Sequence, residues 1–225
     1  MSNSSQLTFD LSGLNSTDNY NEHDFMVLNE HQEAFDLLDK FCGQGDYSSA
    51  NLPHLILKGE GLSGKTHLLN IFAKKYGFEV FNAREVREVE PISLFTGQKI
   101  LAIDDVDELR NDNFLFHIYN LALENQALLL ISLKNSEVFE LRDLVSRLRN
   151  VVQAQIKSPD SDMIKILLSK GFSRRQLKID AKIVDYLALN VARKYAAVEK
   201  VIDKIEEFAF QNKKKVTLAD VKGIV

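Results

Sequence analysis

Short apolar runs alternate with amphipathic segments over most of the chain. The runs with the length of a buried strand are 54–58, 78–82, 99–103, 127–133 and 151–156. The segments with apolar residues at helical spacing are 30–42, 66–76, 110–124 and 136–149. Because strands that alternate with helices form parallel sheets covered on both faces, we predict an α/β fold with a five-stranded parallel sheet.

The pattern changes after residue 158, where no further strand is predicted. Helices are predicted at 163–170 with Gly171 as the stop, at 181–191, at 194–211, and after a capping box at Thr217–Asp220. The predicted parts are a Ser- and Asn-rich N-terminal arm at 1–19, an α/β domain at 20–157 and a small all-helical domain at 158–225.

Composition and charge restrict the classes of partner. No apolar run approaches the ~18 residues of a membrane span, so we expect no membrane partner, and the polar N-terminus predicts no signal peptide. The single cysteine, Cys42, indicates a reduced, cytoplasmic compartment, and the spacing of the five histidines predicts no zinc site. Residues 1–157 carry 14 Lys+Arg and 23 Asp+Glu, or −9, which does not favour duplex DNA. Residues 158–225 carry 14 and 9, or +5, which is typical of solvated helix ends, with an acidic surface as the alternative.

The segment Gly59–Thr66 matches the phosphate-binding template G-x-x-x-x-G-K-[ST]. It lies between a predicted strand and a predicted helix, where successive backbone N–H groups and the helix dipole can hold a β-phosphate. Lys65 would reach the β- and γ-phosphate oxygens, and the Thr66 hydroxyl would bind Mg²⁺. The alternative is a flexible glycine loop that carries a lysine. The predicted nucleotide-binding residues here are Gly59, Glu60, Gly61, Leu62, Ser63, Gly64, Lys65, Thr66 and His67.

A second acidic motif follows about 40 residues later, where the apolar run ends in Asp104 and Asp105. In a parallel sheet these carboxylates would lie at the same edge as the phosphate loop. We predict that Asp104 binds Mg²⁺, mostly through water, and that Asp105 polarises an attacking water. The alternative is a solvated acidic turn.

These two motifs, together with a parallel sheet and a following helical domain, resemble the AAA+ ATPases and, within them, the DnaA family of replication initiators. The segment 24–27, with Asn29 and Ala34, is similar to the family's start near the adenine and implies a contact from Phe25. The resemblance covers the chain from residue 20, more loosely in the helical domain. It implies an AAA+ P-loop domain with a helical lid, and ADP or ATP with Mg²⁺ as cofactors.

Three further positions follow from this resemblance. The segment 141–148 is similar to the family's arginine-finger motif, which implies a catalytic role in trans for Arg147, with Arg142 and Arg149 as alternatives. Arg193 resembles the sensor-2 arginine, with Lys194 as the alternative. At the sensor-1 position the chain has the apolar Leu133, for which Ser132 or Asn135 could substitute. The resemblance therefore implies weak intrinsic ATP hydrolysis.

The arm contains Gln6-Leu7-Thr8-Phe9-Asp10-Leu11, which resembles the hexapeptide that docks bacterial proteins on the β sliding clamp. An extended peptide could bury Leu7, Phe9 and Leu11 while the Gln6 amide fixes the register. With the DnaA-like motifs, this arm resembles the Hda group of DnaA homologues, which lack the initiator's DNA-reading helix-turn-helix. The resemblance implies a replisome-associated bacterial regulator that stimulates hydrolysis of DnaA-bound ATP and prevents re-initiation. An autonomous ATPase or loader on nucleic acid and a clamp-tethering adaptor are the alternatives. A homodimer and a contact with clamp-bound DNA stay open.

Overall fold

The computed structural model describes residues 29–43, 54–87, 89–97, 99–212 and 215–224. The predicted arm at 1–19 lies outside the described residues, and so do Gln6, Leu7, Phe9, Leu11 and Phe25. Among the described residues, no helix combines the length and the apolar character that crossing a bilayer requires.

Strands and helices alternate along the first part of the chain, and helices alone follow. The strands are β1 (Leu55–Lys58), β2 (Val80–Asn82), β3 (Ile100–Asp104), β4 (Leu128–Leu133) and β5 (Val152–Gln155). The helices between them are α1 (Asn29–Gly43), α2 (Lys65–Tyr76), α3 (Ala83–Val86), α4 (Asp112–Glu124) and α5 (Arg142–Arg149). Then come α6 (Ser161–Arg174), α7 (Ala181–Asn190), α8 (Tyr195–Asn212) and α9 (Leu218–Lys222). Short 3₁₀ turns occupy Pro91–Phe95, Val106–Glu108 and Ser136–Val138.

The strands form one parallel sheet in the order β2-β3-β4-β1-β5, which confirms the predicted α/β class. Strand β1 is central: Leu55 pairs with Leu130 of β4 on one side and with Val152 of β5 on the other. Strand β3 pairs with the other edge of β4. The carboxyl ends of β1, β4 and β3 therefore lie side by side, and ligands of open α/β sheets bind at such an edge.

Alternate residues of the strands supply two cores, one on each face of the sheet. One face packs against α4 and α5, and its core includes Ile56, Leu101, Ile131, Ile118 and Leu148. The other packs against α1 and α2, and its core includes Leu57, Leu130, Leu38, Leu68 and Phe72. A third core joins α6, α7, α8 and α9.

The helices of the third core also contact the sheet domain. Met163 of α6 and Tyr195 of α8 belong to the core that contains α1 and α2, and the Tyr195 hydroxyl donates to the Lys157 carbonyl at 3.0 Å. These contacts place α6 and α8 over the phosphate loop. The domain limits at 19/20 and 157/158 stay predictions.

Two predicted helix limits were wrong, the start of α5 and the end of α6. The helix predicted over 136–149 begins only at Arg142, since the Asp112 carboxylate accepts the backbone N–H groups of Glu140 and Leu141 at 2.6 and 2.8 Å and holds Leu141 extended. The helix predicted to stop at Gly171 continues to Arg174. A Cβ on Gly171 would lie 2.4 Å from Ile202 Cδ1, so this glycine permits close approach of α8 rather than ending α6.

Buried His54, just before β1, gives a prediction for acid stability. Its Nδ1 accepts the Leu129 N–H at 3.2 Å, its ring lies edge-on to Tyr119, and burial lowers its pKa to about 4. Because the unfolded chain binds this proton near pH 6.5, stability should fall as the pH drops from 6.5 towards 4, by at most about 3 kcal/mol. Urea unfolding of the wild type and of His54→Asn across this pH range measures how much His54 contributes to the free energy of unfolding. Equal slopes in the two proteins would contradict it.

Candidate nucleotide-binding site

The phosphate loop connects β1 to α2 with a backbone that its glycines permit. Gly64 has φ 92° and ψ 14°, and α2 begins at the next residue. A Cβ on Gly59 would lie 2.6 Å from Ser63 Oγ and 3.1 Å from Ile156 Cβ, whereas one on Gly61 would meet nothing nearer than 3.9 Å. Leu62 is also left-handed, with φ 65°, and is 67% exposed. Two of the three glycines are therefore dictated by conformation or by space.

Lys65 folds back over this loop. Its ammonium donates to the carbonyls of Gly59 and Glu60, each at 3.2 Å, and lies 3.9 Å from Asp105 Oδ1. Burial lowers the pKa of Lys65, and the charges of Asp105 and Asp104 oppose that effect. An ammonium held in this way presents positive charge at the helix N-terminus, where an anion is favoured.

Asp104, at the end of β3, is held by two hydroxyl groups. Thr66 Oγ1 donates to Asp104 Oδ2 at 2.5 Å, and the buried Ser132 hydroxyl donates to Asp104 Oδ1. These are the hard oxygen donors that Mg²⁺ prefers. Since the described residues contain no cluster of three His, Cys, Asp or Glu side chains, Mg²⁺ here would take its other ligands from phosphate oxygens and water. Thr66 and Asp104 therefore fit the ion.

Asp105 follows in a left-handed conformation with φ 53°, which Asp tolerates better than most residues. Its N–H donates to Ser132 Oγ at 2.9 Å, so a single serine fixes both acids. Its carboxylate lies between two ammonium groups, those of Lys65 at 3.9 Å and Lys134 at 3.8 Å. Burial, and then the charge of Asp104, raises the pKa of Asp105.

Two adjoining cavities surround the loop. The loop cavity, of about 460 Å³, is lined by residues 61–67 with Asp105 and Lys134. The lid cavity, of about 230 Å³, shares Leu62, Ser63, Gly64 and His67 with it and extends to α1, α6 and α8. Those helices add mainly His31, Met163, Leu167, Lys170, Arg174 and Tyr195. The two cavities thus meet at Gly64: the loop cavity is lined by the glycines, Lys65 and Thr66, which suit phosphates, and the lid cavity adds the broad side chains of Met163 and Tyr195.

The predicted residues divide between those at these cavities and those away from them. Residues 61–67 and Asp105 line them, and Asp104 lies directly beneath. Glu60 lies at the start of the loop, where its carboxylate accepts the Ser158 hydroxyl at 3.0 Å. Arg193 is exposed and lines neither cavity, and α6 contributes the cations of the lid cavity instead, Lys170 and Arg174.

Leu133, at the sensor-1 position, and its two possible substitutes all have other contacts. Leu133 is fully buried in the core, Ser132 holds the acid pair, and the exposed Asn135 accepts the Glu137 N–H at 2.9 Å. Lys134, which the sequence reasoning passed over, lines the loop cavity in their place. Its position could have indicated this, because Lys134 is the first residue after β4, the strand that lies between β1 and β3.

Arg147 projects from α5 and lines neither cavity. Its Nη1 donates to Asn120 Oδ1 at 2.7 Å, and its guanidinium lies 4.7 Å from the Phe116 ring centre and 5.2 Å from that of Tyr119. Arg142 and Arg149 are exposed. Arg147 is thus the half-buried, oriented arginine among the three.

Known sequences that are similar to this chain include replication initiators. No protein-family model matches the chain. The chromosomal replication initiator DnaA of Flavobacterium psychrophilum is 28% identical over 200 residues, covering 77% of this chain and 41% of that protein. DnaA of Bacteroides fragilis is 24% identical, with 76% and 41% covered, so the chain spans about two-fifths of these relatives. An uncharacterized Haemophilus influenzae protein is 26% identical, with 79% and 84% covered.

Comparison with solved structures gives the fold. Domain III of Thermotoga maritima DnaA superposes with a TM-score of 0.69 at 19% identity, covering 92% of this chain and 95% of that one. AMPPCP-bound DnaA from Aquifex aeolicus gives 0.63 at 20% identity, with 87% and 68% covered. The Thermotoga maritima RuvB branch-migration motor gives 0.64 at 15%, with 92% and 72% covered.

Proposed function

We propose that this chain, a DnaA-like AAA+ protein, binds an adenine nucleotide and acts as an Hda-type regulator of replication initiation. It docks on the β sliding clamp through residues 6–11 and presents Arg147 to ATP held by DnaA. One observation carries the proposal: a phosphate loop with its acid pair is accompanied by an oriented arginine outside the chain's own cavities.

Nucleotide binding follows from the chemistry of the two cavities. The base would lie in the lid cavity, against Leu62, Met163 and Tyr195, and the phosphates in the loop cavity, against the N–H groups before α2. Thr66 and Asp104 would hold Mg²⁺, which supplies charge neutralisation to the phosphates when bound. The Aquifex aeolicus DnaA, which holds AMPPCP, supports an adenine nucleotide here.

The same site favours weak hydrolysis by the chain itself. Asp105, the candidate for polarising water, lies 3.9 Å from the Lys65 ammonium and 3.8 Å from the Lys134 ammonium, so cations rather than a water face its carboxylate. Leu133 offers no polar group to the attacking water. We propose that ADP is the resting ligand and sets the conformation in which DnaA is contacted.

A hydrolysis assay with labelled ATP bound to DnaA tests the proposal. With DNA-loaded clamp present, adding this protein should raise the hydrolysis rate, and deleting residues 1–11 should remove the stimulation while ADP binding is retained. Leu7→Ala with Phe9→Ala should act like the deletion, because these side chains fill the apolar groove. Thr8→Ala with Asp10→Ala is the matched control and should stimulate normally. Stimulation by the Leu7/Phe9 variant would refute docking through this motif.

One observation favours a second function, an autonomous ATPase that acts on single-stranded DNA. A DnaA structure similar to this chain, at 20% identity and a TM-score of 0.63, is bound to AMPPCP and single-stranded DNA. In this chain Arg84, Arg87 and Arg110 line one rim together with Asp107 and Glu108. ATP turnover without any protein partner, increased by single-stranded DNA and lost in Lys65→Ala, would favour this function.

A further inference from the structure

A third cavity lies on the face of the sheet that α5 covers, and we call it the α5 cavity. Its volume is about 290 Å³. Residues of β1, β4 and β5 form one side of it, and residues of α5 and of the segment before α5 form the other. It shares no lining residue with the loop cavity or the lid cavity, so it is a separate site.

The inner part of the α5 cavity is apolar. Ile56, Leu133, Phe139 and Leu148 line it and are buried, and the half-buried Val145 packs against the same core. The volume is close to the lower limit of about 300 Å³ that is typical of pockets for small molecules. A short hydrocarbon chain or a single ring would therefore find both space and apolar contacts here.

Lys58 brings a positive charge to this apolar side of the sheet. Because side chains alternate between the two faces of a strand, Lys58 lies on the same face as Ile56, towards α5. It is half-buried, and its neighbours on the adjacent strands are Leu133 and Gln155. The Gln155 amide N–H donates to the Ile156 carbonyl at 2.9 Å. The strands beside Lys58 therefore supply it with no carboxylate.

The Lys58 ammonium also has no counter-charge from further away. Among the residues that the structure describes, no carboxylate lies within ion-pair distance of it. A cation that is partly removed from water is normally compensated by an opposite charge. The carboxylate of a ligand would supply that compensation in the form of a charge-assisted hydrogen bond.

Three further polar side chains line the α5 cavity. Arg149 is exposed and, within the described part of the chain, is likewise in no ion pair. Glu137 carries the one negative charge of the lining, and Gln153 adds an amide that can donate to an anion. Two cations and one carboxylate leave a charge of +1, which favours a ligand with a single negative charge.

We propose that the α5 cavity binds a small carboxylic acid with an apolar body. Its carboxylate pairs with Lys58 and Arg149, and its hydrocarbon part fills the space beside Leu133, Phe139 and Val145. A neutral molecule of the same shape would leave Lys58 uncompensated, and an ammonium would be repelled by both cations. The proposal does not depend on nucleotide binding, because the nucleotide cavities share no residue with this one.

Isothermal titration of the full chain with octanoate tests the proposal, and octylammonium serves as the cation with the same apolar chain. Octanoate should bind with a Kd of about 1 mM or tighter, and octylammonium at least about tenfold more weakly. Lys58→Met keeps an unbranched apolar side chain without the charge and should weaken octanoate about tenfold. Lys157→Met is the matched control and should bind octanoate within about threefold of the wild type, because it removes an exposed lysine that pairs with Glu33 outside the cavity.

A second variant and a spectroscopic measurement locate the bound acid. Arg149→Ala changes an exposed residue, so the fold should be kept, and octanoate should bind at least about threefold more weakly. In ¹H–¹⁵N spectra of the wild type, octanoate should shift the signals of α5 and of the Gln153 side-chain amide. Shifts confined to α6 and α8 would place the acid in the lid cavity and overturn the proposal. So would equal binding of octanoate and octylammonium, unchanged binding by Lys58→Met, or no binding at tenfold higher concentration.

Discussion

Gly64→Ala is expected to weaken ADP binding about 100-fold, whereas Gly61→Ala is expected to leave it within about threefold. Gly64 is left-handed with φ 92° directly before α2, and an L side chain is strained there. Relieving that strain rotates the peptide groups whose N–H bonds point at the phosphates. Gly61 lacks a positive φ, and its added Cβ meets only Lys134 Cε, at the ordinary distance of 3.9 Å.

A substitution at a third glycine, Gly77, separates the effect of backbone strain from the loss of the phosphate site. Gly77, at the other end of α2, has φ 72° and nothing within 4 Å of an added Cβ. Gly77→Ala should therefore cost stability of the same order, about 1 kcal/mol, and leave the affinity for ADP unchanged. Titration of the three variants with ADP, together with their thermal unfolding, makes the comparison. If Gly64→Ala bound ADP as tightly as Gly77→Ala does, the loop would not be the phosphate site.

The sheet and its functional edge could be predicted because their signals are local. The three inner strands, β1, β3 and β4, are short apolar runs, and the loop carries its glycines, lysine and threonine within eight residues, 59–66. Once strands alternate with helices, parallel pairing follows, and it brings the ends of β1 and β3 to one edge of the sheet. No further information was needed to predict that Thr66 lies close to Asp104.

The features that escaped prediction depend on contacts between distant segments. The start of α5 is set by Asp112, which lies 28 residues before Glu140, and the glycine within α6 is required by the side chain of Ile202. His31, Tyr195 and Lys134 line the cavities because of how α1, α8 and β4 pack, and no local motif marks them. Arg193 had such a motif; it lines neither cavity, and its sensor-2 role stays a prediction.

Arg147→Ala is expected to reduce the stimulation of DnaA-bound ATP hydrolysis by about 1,000-fold or more, the usual effect of losing a finger arginine. Asn120 Oδ1 accepts one N–H of the Arg147 guanidinium, and the rings of Phe116 and Tyr119 pack against it. The remaining donors stay available to a γ-phosphate in the partner protein. Arg147→Lys should fail nearly as completely, because an ammonium cannot reproduce the planar fork.

Two sets of variants separate the finger role of Arg147 from a general disruption of the surface around it. Arg142→Ala and Arg149→Ala remove exposed charges from the same helix and should keep stimulation within about threefold, since neither arginine has the oriented contacts of Arg147. Asn120→Ala leaves Arg147 in place but frees its guanidinium, so stimulation should fall about tenfold while ADP binding is unchanged. The measurement is the single-turnover rate on DnaA-bound ATP at saturating clamp, with unfolding midpoints as the control for folding. Should Arg147→Ala stimulate normally, the chain would be a clamp-tethered adaptor, and an Asn120 effect without an Arg147 effect would assign that face of α4 to partner contact instead.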